Sequence, residues 1–224
     1  MTTQPQNRAF TVGECDRMAE VDILTEEDRV ELIAARRRPF TVGEYYRMAE
    51  VDILTEEDRV ELIAGQIVAM SPIGSRHAAC VKRLNLSMGK MVGDSMLIGV
   101  QDPIALDAYS EPKPDLVLLR PRTDFYADAH PAASDVLLAI EVADTSADYD
   151  REDFGELSRV VKLPLYTQAG LPEVWLIDLQ ESRIEVYARP QGGAYQQRVE
   201  VTADATLTSA TIPQLALAAA DLLG

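Results

Sequence analysis

Apolar and polar positions recur in distinct rhythms along this chain, and the rhythms predict its elements. Over residues 75–92, Ala79, Leu84, Met88, Met91 and Val92 fall on or near one face at helical spacing, which predicts an amphipathic helix. Residues 96–101 read as a strand. Two compact apolar runs of strand length follow, Asp115-Leu116-Val117-Leu118-Leu119 and Val136-Leu137-Leu138-Ala139-Ile140-Glu141-Val142-Ala143, and each carries one acid. Between them, residues 120–134 read as a loop with a helical turn around Phe125. The polar stretch 144–159 leads to a short helix ending near Ala169, with Gly170 as its stop and Pro172 beyond. Proline is tolerated in a helix only in the first turn or at a kink, so Pro164 places Lys162 near that helix's N-terminus. Residues 173–178 form another buried strand, 183–189 and 195–202 a meander, and 214–223 a closing helix. The whole predicts an α/β fold, a mixed central sheet flanked by helices in a single domain.

The N-terminal region departs from this plan because it repeats itself. Residues 10–34 and 40–64 are the same sequence at an offset of 30, differing only at Cys15/Tyr45 and Asp16/Tyr46. A single pair is too few for a solenoid. Each copy opens with a capping-box pattern, Thr11 with Glu14 and Thr41 with Glu44, predicting a short helix. Each then runs Arg-Val-Glu-Leu-Ile-Ala. Only the second copy continues into a turn and a returning apolar strand, Gly65-Gln66-Ile67-Val68-Ala69-Met70, so it alone can close a hairpin. Glu61, not Glu31, is therefore expected in the native strand. Residues 1–37 are read as a peripheral appendage carrying a copy of 38–64, and 38–224 as the folded domain.

Composition changes the picture in two places. The net charge of −16 argues against a broad nucleic-acid surface, since phosphate affinity comes mainly from Lys and Arg. The two copies, counted with their preceding arginines, carry six arginines against fifteen acids, so −9 of the −16 sits in the repeat and the remainder is only mildly acidic. The cysteines, Cys15 and Cys80, have no metal-like spacing, the N-terminus is polar with no signal-peptide core, and no apolar run approaches the roughly 18 residues of a membrane span. A reduced, cytoplasmic chain with no membrane partner is expected.

The candidate chemistry lies in the two acids within apolar strands. A carboxylate there costs several kcal/mol (about 2–7 for a polar group) unless it is paired, hydrogen-bonded or metal-bound. Asp115 and Glu141 could supply oxygens to Mg²⁺ or Mn²⁺, Lys162 could orient water or neutralise a phosphate, and Glu61 could complete the acidic set. The alternative is that each acid ends its strand in solvent or in a structural ion pair. His77 sits at a helix start, where it either packs locally or touches a phosphate. Gln101 either positions a water or is solvated. Trp175 and Tyr166 read as core. With His77 and His130 the only histidines, multi-histidine metal sites and Ser-His-Asp triads are disfavoured, and no Walker or dinucleotide glycine pattern is present.

Read in order, Glu61-Leu62-Ile63-Ala64-Gly65-Gln66-Ile67, Ser71-Pro72, His77, Gln101, Glu111-Pro112-Lys113-Pro114-Asp115-Leu116, Ile140-Glu141-Val142 and Tyr166-Thr167-Gln168-Ala169-Gly170-Leu171-Pro172-Glu173-Val174-Trp175 resemble the Uma-type putative restriction endonucleases of the PD-(D/E)xK nuclease superfamily. The resemblance runs from about residue 38 to the C-terminus. It implies a restriction-endonuclease-like core and metal-dependent hydrolysis of DNA. Asp115 and Glu141 fall on the motif's two acids, Glu61 on a preceding acid, and Lys162 on a lysine moved to the following helix. The superfamily's usual lysine position is Ala143 here. About eight extra residues, 152–159, precede Lys162. A catalytically inactive binding module and a hydrolase of small phosphodiesters remain alternative functions, and the oligomeric state, a homodimer included, is left open.

Overall fold

The computed structural model describes residues 8–25, 38–55, 57–70, 72–144 and 157–224. Two compact units can be told apart, one made of residues 72–106 and 113–224, the other of the described residues within 2–71 together with 107–112.

In the smaller unit the repeat produces two matching helices, α1 (Val12–Glu20) and α2 (Val42–Glu50). Both capping boxes form. Thr11 and Thr41 accept from the N–H groups of Glu14 and Glu44, and each glutamate reaches back to its threonine's N–H. After α2 the chain forms the expected hairpin of β1 (Val60–Ile63) and β2 (Gln66–Ala69), paired antiparallel. Its two-residue turn, Ala64-Gly65, has φ of 49° and 75°, the geometry that matches strand twist in tight hairpins. A side chain at Gly65 would also collide with Pro39, since its Cβ would lie 2.3 Å from the proline's Cβ. The packing of the first copy differs from that of a peripheral appendage. Met18, Ile23 and Leu24 are buried in one apolar cluster with Phe40, Met48, Ile53, Leu62 and Ile67. Glu31 lies outside the described residues.

The larger unit holds α3 (Ser75–Val92), β3 (Leu97–Gly99), β4 (Leu116–Leu119), β5 (Val136–Ala143), α4 (Leu163–Gln168), β6 (Glu173–Asp178), β7 (Arg183–Gln191) and β8 (Ala194–Thr202). These strands form one six-stranded sheet in the order β3-β4-β5-β6-β7-β8. Only the β5–β6 pair is parallel, because the chain returns there through α4. The mixed sheet flanked by helices is the architecture the sequence predicts.

Alternation along the strands sorts the core into two layers. Leu116, Leu118, Leu138, Ile140 and Val142 pack with Cys80, Val81, Leu84 and Met88 of α3. Val117, Leu119, Ala139, Val174 and Leu176 pack on the opposite face with Tyr166 of α4. By the same parity Glu141 belongs to the α4 face, while Asp115, just before β4, is bonded by His77 of α3.

Residues 214–223 depart from the expected helix. Ala216–Ala218 form a strand, β10, paired antiparallel with β9 (Thr206–Thr208), and only Ala219–Leu223 are helical, as α5. Alanine favours a helix locally, but Leu215 and Leu217 are the inward positions of a period-two pattern with Ala216 and Ala218 exposed. Burial decides in favour of the strand. No helix among the described residues is long and apolar enough to cross a membrane.

Candidate active site

The β4–β5 ladder creates the site. Its register pairs Leu116 with Ile140, so the preceding Asp115 stands across from Glu141. Directly opposed residues on adjacent antiparallel strands have Cβ atoms about 5 Å apart. Both carboxylates are buried.

Asp115 is held by three donors. Val142 N–H reaches Oδ2 at 2.8 Å, while His77 Nε2 and Gln101 Nε2 reach Oδ1 at 3.0 and 3.2 Å. Burial alone would push its pKa up; the His77 bond and charge, the Val142 amide and Lys162 more than offset this and hold it below the usual carboxylate value. Burial likewise depresses His77, and its pairing with Asp115 outweighs that and raises it. His77 Nδ1 is buried and meets no hydrogen-bond partner among the described residues. Such a group calls for a water, ion or ligand atom beside it. Gln101 reaches Asp115 from a left-handed backbone conformation, φ 58°, which is uncommon for a residue other than glycine.

Glu141 is met from α4 and the turn before it. The Tyr166 hydroxyl donates to Oε1 at 2.5 Å, and Lys162 Nζ lies 3.3 Å from Oε1 and 3.4 Å from Oε2. Lys162 is itself buried and sits where a wide helical turn, Leu157–Lys162, passes into α4. Pro164 lies in the first turn of α4, where a missing N–H costs little, as expected. The part of the 152–159 segment before Leu157 lies outside the described residues. Beside Glu141, a cavity of about 10 Å³ has room for one water. Its lining includes Glu141, Ser158 and Arg159, and Arg159 bridges Asp178 at 2.9 Å and Glu185 at 3.4 Å.

Asp115, Glu141, Lys162, His77 and Gln101 thus gather within the larger unit. Glu61 is buried in the smaller unit, on β1 opposite Val68. There burial, Glu111 and Glu61 together push the Tyr45 hydroxyl up to about 12. Sequence reasoning assigned Tyr166 to the core alone. It is fully buried, yet its hydroxyl lies nearer Glu141 than the Lys162 ammonium does. The signal was its spacing from Lys162: positions four apart share a helix face, so the cation and the phenol approach the same partner.

Hard carboxylate oxygens on neighbouring strands are the donor chemistry of Mg²⁺ and Mn²⁺. Mg²⁺ commonly uses one or two carboxylates and completes its shell with water and substrate phosphate. The pair fits that requirement, although no group of three or more His, Cys, Asp or Glu residues in metal-holding geometry occurs among the described residues.

The fold and site define an α/β protein with a mixed sheet and an acid at each of two adjoining strands. The Uma2 family, described as "Putative restriction endonuclease", matches residues 42–220, and the chain belongs to it. Among solved structures, the chain resembles one described as a putative nuclease belonging to DUF820, from Anabaena variabilis ATCC 29413. The identity is 18%, the TM-score is 0.62, and the match covers 83% of this chain and 98% of that one. At that identity the likeness is one of fold. No match is found among curated proteins.

Proposed function

We propose that the chain is a cytoplasmic endonuclease that hydrolyses phosphodiester bonds of DNA with Mg²⁺ or Mn²⁺ held by Asp115 and Glu141. The observation that carries this reading is that two buried carboxylates stand at adjoining strands, with a buried lysine 3.3 Å from Glu141. The family and the solved neighbour support nuclease function in general.

When bound, the metal would polarise the scissile phosphate and lower the pKa of its water. The protein's own groups have distinct tasks. Val142 N–H and Gln101 fix the Asp115 carboxylate, and Tyr166 fixes Glu141. Lys162 supplies positive charge where negative charge accumulates on the phosphate. His77 Nδ1 is the group available to a phosphate oxygen, and Gln101 is the second substrate-binding candidate. Glu61, buried on β1 of the smaller unit, is the remaining candidate acid and is tested separately.

The test is cleavage of supercoiled and linear DNA with each metal by the wild type, Asp115→Ala, Glu141→Ala and Glu61→Gln. Loss of an electrostatic catalytic group typically costs about 10²–10³ in rate. Asp115→Ala and Glu141→Ala are expected to lose at least that much. A wild type that leaves varied DNA intact with every metal would support an inactive nuclease fold. Activity on a small phosphodiester without activity on DNA would favour the small-substrate reading.

A further inference from the structure

The two copies of the repeat do not merely lie in the same unit; they contact each other reciprocally. Arg8 pairs with Glu14 of its own copy at 2.7 Å and donates to the Ile53 carbonyl of the other at 3.2 Å. Arg38, its equivalent, pairs with Glu44 of its own copy at 2.6 Å and donates to the Ile23 carbonyl of the first. Phe10 and Phe40 are also equivalents, and their rings meet edge to face with centroids 6.0 Å apart. Arg47 reaches the Val21 carbonyl and Arg17 the Asp52 carbonyl at 3.5 Å, adjacent rather than equivalent positions of the two turns. Met18 and Met48 are equally buried, as are Ile23 and Ile53.

A contact in which i meets j and the equivalent of i meets the equivalent of j is the signature of a two-fold, self-complementary interface. Here it occurs inside one chain. The positions at which the copies differ fit this picture. Tyr45 donates to the Val60 carbonyl at 3.2 Å and Tyr46 donates to Glu111 at 2.5 Å, so both serve the hairpin side of the second copy. Cys15 and Asp16 replace them in the first copy, while every residue used in the reciprocal contacts is kept.

We infer that the face formed by Arg38, Phe40, α2 and the Ile53 turn is a self-association surface whose natural partner is a second copy of itself, and that residues 8–25 occupy it as a tethered partner. The full chain is in this respect a dimer closed on itself. Displacing the first copy exposes a surface already shaped to pair with its equivalent on another chain. The asymmetric additions, Arg8 N–H to the Ile67 carbonyl and Arg8 to Asp58, strengthen the internal occupant over an external one.

The test uses the full chain with Met18→Asp and Ile23→Asp, which unseat the first copy but leave the α2 face unaltered. Light scattering across the micromolar range should show the particle mass doubling relative to the wild type, and adding Phe40→Asp should abolish the increase. Hydrogen exchange over residues 12–25 reports whether the first copy has been released, and Trp175 emission reports whether the larger unit remains folded. A second route places a protease site within 26–37 of the otherwise unaltered chain and follows mass after cleavage and dilution. Release of the first copy without a gain in mass, by either route, would overturn the inference.

Discussion

Replacing Lys162 with methionine should destabilise the larger unit by about 3 kcal/mol. The ammonium lies 3.3 Å from Glu141 Oε1, and both residues are at most 5% exposed. Removing one member of a buried ion pair typically costs about 3–5 kcal/mol, because the other charge is left in a low-dielectric site. Tyr166 still donates to Glu141 in the variant, and one hydrogen bond to a charged group is worth about 1.5–3 kcal/mol, which places the loss at the lower end. For a chain of this size about 3 kcal/mol lowers the thermal midpoint by about 6–12 °C. The assay is unfolding in metal-free buffer followed by tryptophan emission. Trp175 is the only tryptophan and is fully buried in the sheet, so it reports on the unit that holds the pair. The Glu141→Gln single variant and the Lys162→Met/Glu141→Gln double variant complete a cycle, in which the double should lose clearly less than the sum of the singles. Additive losses, or a Lys162→Met variant within about 0.5 kcal/mol of the wild type, would refute the buried pair as a coupled unit.

Glu173 is fully buried and accepts from Trp175 Nε1, the Ser209 and Thr211 hydroxyls, and the N–H groups of Ala210 and Thr211. Glu173→Ala leaves these donors unmatched and should cost upward of about 3 kcal/mol, with faster amide exchange at 210–211; unchanged exchange there would show that the carboxylate does not hold the turn. Acid should loosen the smaller unit through Glu14 and Glu44. Burial raises both carboxyls, but capping and arginine bonds bring them below their ordinary value of 4.5. A depressed folded pKa means the stabilisation is present above the unfolded value and lost as pH falls through the folded one. Exchange protection in α1 and α2 should therefore decline below about pH 4.5, and protection insensitive to acid would contradict the assignment.

The parts legible in the sequence are those that local rhythm determines. The helix over 75–92 has an apolar face that repeats for five turns, and β5 and β6 are bounded apolar runs, so each was readable alone. That Asp115 stands across from Glu141 follows from the β4–β5 register, which pairs Leu116 with Ile140 and which neither strand's own pattern fixes. What escaped depended on contacts distant in sequence. The Tyr166 hydroxyl finds Glu141 across 25 positions, and its four-residue spacing from Lys162 marks a shared helix face without naming the partner. The 216–218 strand exists because Thr206–Thr208 offers it a partner, whereas its alanines alone favour a helix. The missing hairpin marks the first copy as unable to close a sheet but says nothing of the face it buries. Its reciprocal contacts join Arg8 and Arg38 to each other's copies, which no local pattern encodes.

Manganese titration calorimetry on the wild type, Asp115→Asn and Glu141→Gln tests the central claim most directly. Each substitution keeps the side chain's size, removes the negative charge a hard cation requires and turns one acceptor oxygen into a donor NH2. The carboxylate pair predicts a saturable Mn²⁺ site in the wild type that either substitution weakens at least tenfold, a loss of about 1.4 kcal/mol or more in binding free energy. A wild type that binds no Mn²⁺, or variants that bind it as tightly as the wild type, would contradict the assignment of Asp115 and Glu141 as its ligands.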